Sequence, residues 1–172
     1  MNTMKFIQML TTTTTLALLA LSSPSSIAAD TQIAGQFKVS YSKQEAIPVP
    51  DVEGQVLLLA QAEGSNVTTA GDYMGGAQVT NREILDLRNG NGRHSGYVTF
   101  TKDGSTVVDK WSGNVTTTLN PDGSPNITFG GSFEKISGTG KYQGIQGSGT
   151  YKGYFTSEKE YVVDWTGHYS LK

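Results

Sequence analysis

The 172-residue chain contains no cysteine. That excludes disulfides, thiolate metal sites and any cysteine nucleophile. Histidine is nearly as scarce. The two present, His94 and His168, share no short ligand spacing, so no metal is expected. No Gly-x-Ser-x-Gly marks a serine hydrolase, and Gly138-Thr139-Gly140-Lys141 fits neither a dinucleotide nor a phosphate loop. Asp86-Leu87-Arg88-Asn89-Gly90 echoes a calcium loop, but Arg88 occupies a ligand position. Lysine and arginine nowhere cluster, and the net charge is −2, so nucleic acid and anionic membrane are not expected partners. No cofactor is implied. From Asp30 onward no segment keeps a 3.6-residue apolar period beyond two turns, which argues against helices.

The first 29 residues have a different character. Lys5 is the only charge before Asp30. An apolar stretch from Phe6 to Leu21 follows, then Ser22-Ser23-Pro24-Ser25-Ser26 and Ile27-Ala28-Ala29. A charged start, an apolar middle and a small-residue end predict a secretory signal cleaved near Ala29. The run is too short and too rich in threonine for a membrane span, which needs about 20 apolar residues. Without a lipobox cysteine no lipid anchor is expected. The expected location is periplasmic or secreted, and residues 30–172 form a single domain, a size that supports one core.

What is abundant is glycine, 21 residues, interleaved with Thr, Val, Tyr and Ser. Period-two alternation between turn signals predicts eight strands. They run over 36–41, 55–62, 77–87, 96–101, 106–119, 126–137, 147–156 and 161–171. Arg88 to Ser95, with His94, reads as a glycine-rich loop, and Asp103-Gly104 as a tight hairpin turn. Consecutive strands with short connections favour antiparallel neighbours. Eight of them can close into an all-β, up-and-down barrel without sticky edges. Pro48 and Pro50 bar their stretch from a central strand. Val56-Leu57-Leu58-Leu59 is apolar on both faces and suggests a subunit contact.

The aromatic-rich faces are expected inside. Trp111 lies on one face of the fifth strand, Phe129 and Phe133 on the sixth, Tyr151 on the seventh, and Trp165 and Tyr169 on the eighth. These six are the candidate ligand-binding residues, since rings in so narrow a barrel either fill the lumen or line a pocket. A barrel facing lipid would turn Asp109 and Lys135 into hydrocarbon, where a central Lys costs about 2–4 kcal/mol. Within an interior, Asp109 (between Val107 and Trp111) and Glu83 (between Asn81 and Leu85) stand out. A buried carboxylate is costly unless paired, and its pKa tends to rise into the range useful for acid–base work. Both are candidate catalytic groups; the structural alternative is a barrel-mouth position or pairing with Arg82 or Lys135.

Phe133 to Tyr151 reads FEKISGTGKYQGIQGSGTY. The strand ends in Gly-Thr-Gly, an aromatic and a glycine follow, and a second glycine-rich strand begins. This resembles a hairpin recurring in the allene oxide cyclase-like and dirigent-like barrels, on the bacterial side of that family. The resemblance implies a calycin-like eight-stranded barrel with a largely apolar cavity, assembled as a dimer or trimer. Plant members cyclise or couple small hydrophobic molecules. None of their catalytic residues maps onto a position here, so the resemblance carries the fold and no active site. The expected function is an exported barrel that binds a small, mostly apolar molecule in its lumen. The alternatives are a cofactor-independent cyclase or isomerase, and a ligand-free structural or oligomerising barrel.

Overall fold

The computed structural model describes residues 30–172; the expected signal segment, 1–29, lies outside the described residues. Eight strands follow one another: β1 (Thr31–Pro48), β2 (Gln55–Ala70), β3 (Gln78–Arg88), β4 (Asn91–Lys102), β5 (Ser105–Leu119), β6 (Pro125–Gly138), β7 (Ile145–Phe155) and β8 (Glu160–Leu171). Each pairs antiparallel with its neighbour in sequence, and β8 pairs with β1 to close the barrel. A single 3-10 turn, Gly140–Tyr142, links β6 to β7. This is the all-β up-and-down barrel the alternation predicts.

Two stretches differ from expectation. Arg88 to Ser95 is no loop. Asn89 and Gly90, both at positive φ, make a two-residue hairpin turn, and β4 is already paired at Asn91. Positive φ at both central residues is what a tight hairpin demands, and Asn-Gly supplies it cheaply. His94 therefore sits within a strand and points inward. The first two strands are also longer than their alternation suggested. β1 carries a bulge between Tyr41 and Lys43 and runs on to Pro48, paired only with β2 there.

The aromatic faces turn inward, as expected. Lys38, Arg82, Arg93, Lys110, Glu134 and Lys152 are exposed on the outside, while Asp109 and Lys135 are buried within. Glycine makes room for the rings. A Cβ on Gly153 would stand 2.4 Å from the Phe129 ring, and one on Gly149 equally close to Phe133. Across Gly149 and Gly153 the rings lie directly on the strand, so a narrow barrel holds them.

The lumen has two unlike ends. At one end the segment Gly71–Ala77 folds back as a plug. Tyr73 and Met74 are each about 1% exposed. Asn66 Nδ2 donates to Met74 O at 2.9 Å, the Met74 amide donates to Tyr142 Oη at 3.2 Å, and Lys102 Nζ bonds Gly75 O. Tyr73 packs edge-on against Phe100, Tyr142 and Trp165. At the other end, between the β1–β2 hairpin and the β7–β8 turn, the barrel is open.

Candidate functional site

Two voids that share part of their lining occupy the lumen. A small chamber of about 40 Å3 lies at mid-barrel. A wider cup of about 230 Å3 opens at the unplugged end, lined by Tyr41, Leu58, Leu85, Val115, Ile127 and Phe155 among others. Glu83, His94, Phe129 and Tyr161 line both. They form the floor of the cup and the roof of the chamber. The chamber has room for ~2–3 waters, whereas the cup matches a small organic molecule.

The floor is built by strand alternation. Asn81 and Glu83 project inward from β3, His94 from β4, Trp111 from β5 and Tyr161 from β8. In the ladder Glu83 lies opposite Gly96, and Gly96 opposite Trp111. The missing side chain at Gly96 makes room for the Trp111 indole (an added Cβ would stand 2.8 Å from the ring). Trp111 Nε1 donates to Asn81 Oδ1 at 3.0 Å, and Asn81 Nδ2 donates to Tyr161 Oη at 2.8 Å. Asn81 thus ties β3, β5 and β8 together beside Glu83.

Glu83 is 5% exposed, and its Oε1 is buried without a hydrogen-bond partner. Burial pushes its pKa up to about 7; Tyr41 and Asn81 oppose the shift only in part. Such a carboxyl exchanges a proton near neutral pH. His94 forms a 3.0 Å hydrogen bond through Nε2 with Tyr151 Oη and is wedged edge-on against Trp111. Burial pulls its pKa down to about 4, so it is neutral. Burial also raises the phenols of Tyr41, Tyr151 and Tyr161, which therefore stay protonated and able to donate. The floor is one ionisable carboxyl among neutral donors and rings.

Asp109 has a different setting. It lies toward the plugged end and accepts from Lys135 Nζ at 3.2 and 3.4 Å. Lys135 Nζ also donates to Tyr73 Oη at 2.7 Å and stands 4.2 Å from the centre of that ring. Burial pushes Asp109 up and Lys135 down, and each charge opposes the other's shift. Asp109 thus meets one of the partners its sequence position offered, and the pair fastens the plug.

Of the aromatic candidates, Trp111, Phe129, Phe133, Tyr151 and Trp165 line the chamber, and Phe129 also lines the cup. Tyr169 lines neither; it packs on Tyr73 and Tyr142 at the plugged end. His94, Tyr41, Asn81 and Tyr161 join the site without having been singled out. The signal for His94 was present: counting back by twos from Val98 through Gly96 lands on it. Among the described residues no group of three or more His, Asp or Glu side chains is placed to hold a metal.

No family model matches the chain, and no curated protein matches it. A solved structure of a pterocarpan synthase dirigent protein aligns over 91% of this chain and 100% of that one, at 14% sequence identity and a TM-score of 0.47. A likeness at that level bears on neither family nor chemistry.

Proposed function

We propose that this is an exported barrel that takes a small, mostly apolar molecule, carrying one hydrogen-bonding group, into the open cup. The observation that supports it is the unpartnered Oε1 of Glu83 at the floor of a cavity walled largely by aliphatic and aromatic side chains. A buried polar atom without a partner costs about 1–3 kcal/mol. A ligand hydroxyl or amine that bonds to it recovers that cost and fixes the ligand's orientation. The cup's volume is below the usual range for drug-sized ligands, so the molecule is a single ring or a short chain. The character of residues 1–29 supports export.

A second reading has its own observation. Glu83 shares the cup with Tyr41 and Tyr161, so a carboxyl able to gain or lose a proton faces phenols able to donate. That arrangement suits a cofactor-independent isomerase or cyclase, with Glu83 moving the proton and the phenols stabilising negative charge on an oxygen. Asp109, engaged by Lys135, serves the fold in this reading.

The test is native mass spectrometry of the protein purified from its own host, followed by titration of the stripped Trp165→Phe protein with 4-nitrophenol, a single-ring probe, while Trp111 fluorescence is recorded. We expect a discrete extra mass lost on denaturation, and saturable quenching by 4-nitrophenol that Leu87→Tyr, at the rim, abolishes. A clean apo mass together with no saturable response would refute the lumen as a binding site. If the bound mass converts to an isomer only in protein with Glu83 intact, the catalytic reading holds.

A further inference from the structure

The barrel is closed, yet β1 leaves an edge free where it runs past the end of β8. β8 pairs with β1 only as far as Ser40 opposite Glu160, and the Tyr41 amide makes the last bond across, to Lys159 O. β1 continues for seven more residues with β2 alone beside it. Ser42 to Pro48 are all exposed. The Val49 amide donates to Gln55 O, so by antiparallel alternation Ile47 and Glu45 bond to β2. Gln44 and Ala46 then turn their N–H and C=O groups outward with no strand among the described residues to receive them.

Such an edge is a template for another strand, and proteins blunt it unless it is used. Pro48 removes the N–H that would lengthen the ladder, which limits a partner to a short segment. The charges are the informative part. Lys43 and Glu45 are two apart on the outer face, with opposite sign. A same-charge edge would repel its own copy in every register. This one repels in the register centred on Glu45 and matches in the register centred on Gln44, where each Lys43 stands opposite the other copy's Glu45.

We propose that Ser42–Ala46 of β1 pairs antiparallel with the same segment of a second copy of this chain, on a two-fold axis through Gln44. The four-stranded sheet so formed, β2 and β1 of each copy, carries Leu57 and Leu59 on its outer face; these are 41% and 55% exposed in the single chain. The proposal is independent of what the lumen holds. An edge of this length buries less than the ~1,200 Å2 of a standard interface, so self-association falls at about 10–100 μM.

Sedimentation velocity across that range, combined with single-cysteine crosslinking, tests it; the chain has no cysteine of its own to interfere. Opposed residues in a bonded pair have Cα atoms about 5.5 Å apart, within the range a disulfide spans. Gln44→Cys should give a covalent dimer under mild oxidation, and Ala46→Cys, displaced from the axis, should not. Lys43→Glu should weaken self-association about tenfold, since two attractive cross-strand pairs become repulsive, and the double exchange Lys43→Glu with Glu45→Lys should restore it. A protein that stays monomeric to 0.5 mM by sedimentation (about five times the upper bound) overturns the proposal. So does equal crosslinking of both cysteine variants, or a dimer indifferent to the charge changes.

Discussion

Glu83 and His94 are two buried groups on one floor, and their protonation pulls in opposite directions. Folded Glu83 keeps its proton up to about pH 7, against an ordinary value of 4.5. Folding therefore takes up a proton between those values. Its contribution to stability declines as pH rises through the window and stays lost above it. Folded His94 stays neutral down to about pH 4, against 6.5. Its contribution is present above 6.5 and is lost as pH falls towards 4. Glu83→Gln keeps the shape and removes the charge. We expect it to be more stable than the parent at pH 8 by up to about 3 kcal/mol, with the difference vanishing near pH 4.5. His94→Asn should gain relative to the parent only as pH falls below 6.5. Urea unfolding at pH 4.5, 6 and 8 reads both, and an advantage of Glu83→Gln over the parent no larger at pH 8 than at pH 4.5 would remove the argument for a strained carboxyl. A residue whose neutral replacement stabilises the fold is one kept for another purpose.

At the scale of elements, the plug depends on one ion pair. Lys135 reaches inward from β6 next to a bulge at Ile136, bonds Asp109 on β5 and holds Tyr73 of the Gly71–Ala77 segment. Removing one partner of a buried pair leaves an uncompensated charge, at a cost of about 3–5 kcal/mol. Lys135→Met should therefore destabilise by that amount at pH 7, and less at pH 5, where Asp109 can take a proton. Adding Asp109→Leu should recover most of the loss. Chemical denaturation gives the stabilities. Hydrogen exchange should show the Met74 amide, which bonds Tyr142 Oη, losing protection in the single variant; unchanged stability would mean the pair is not what fastens the plug.

The elements themselves were largely legible. β5 and β8 alternate cleanly, with Trp111 and Trp165 facing in, and Asp103-Gly104 turns as a tight hairpin with both residues at positive φ. Gly90 and Gly92 misled, because glycine serves two purposes a few residues apart. Gly90 makes a turn, whereas Gly92 lies within β4, where a Cβ would stand 2.0 Å from the Asp86 carbonyl oxygen. Composition does not separate a turning glycine from a crowded one, so His94 was read as a loop residue. The plug was invisible for another reason. Tyr73-Met74 is only two residues of apolar sequence between glycines, and its burial depends not only on nearby Asn66 but on Lys135 and Tyr142, both remote in the chain. The charged residues on apolar faces, Glu83 and Asp109, were found by pattern, but only three-dimensional pairing separates the partnered one from the free one.

For the molecule as a whole, the asymmetry of the two ends governs traffic. The plugged end is sealed by Tyr73, Met74 and Tyr142; the other opens directly over Glu83. We expect anything that reaches the chamber to enter and leave by the cup. The two tryptophans report on the two halves. Trp165 Nε1 donates to Asn66 Oδ1 at 3.0 Å, and the same Asn66 holds Met74 of the plug. Trp111 lines the chamber and is tied through Asn81 to β3, the strand that carries Glu83. A neutral quencher such as acrylamide should therefore reach Trp111 by the mouth and hardly reach Trp165. In a Trp111→Phe background, Tyr73→Ala should open the sealed end and raise the quenching of Trp165 several-fold. In a Trp165→Phe background the same change should leave Trp111 nearly as it was. Equal quenching of the two tryptophans in the intact barrel, or no response of Trp165 to loss of the Tyr73 ring, would mean that the lumen is not a one-mouthed vessel and that the cup is not its only entrance.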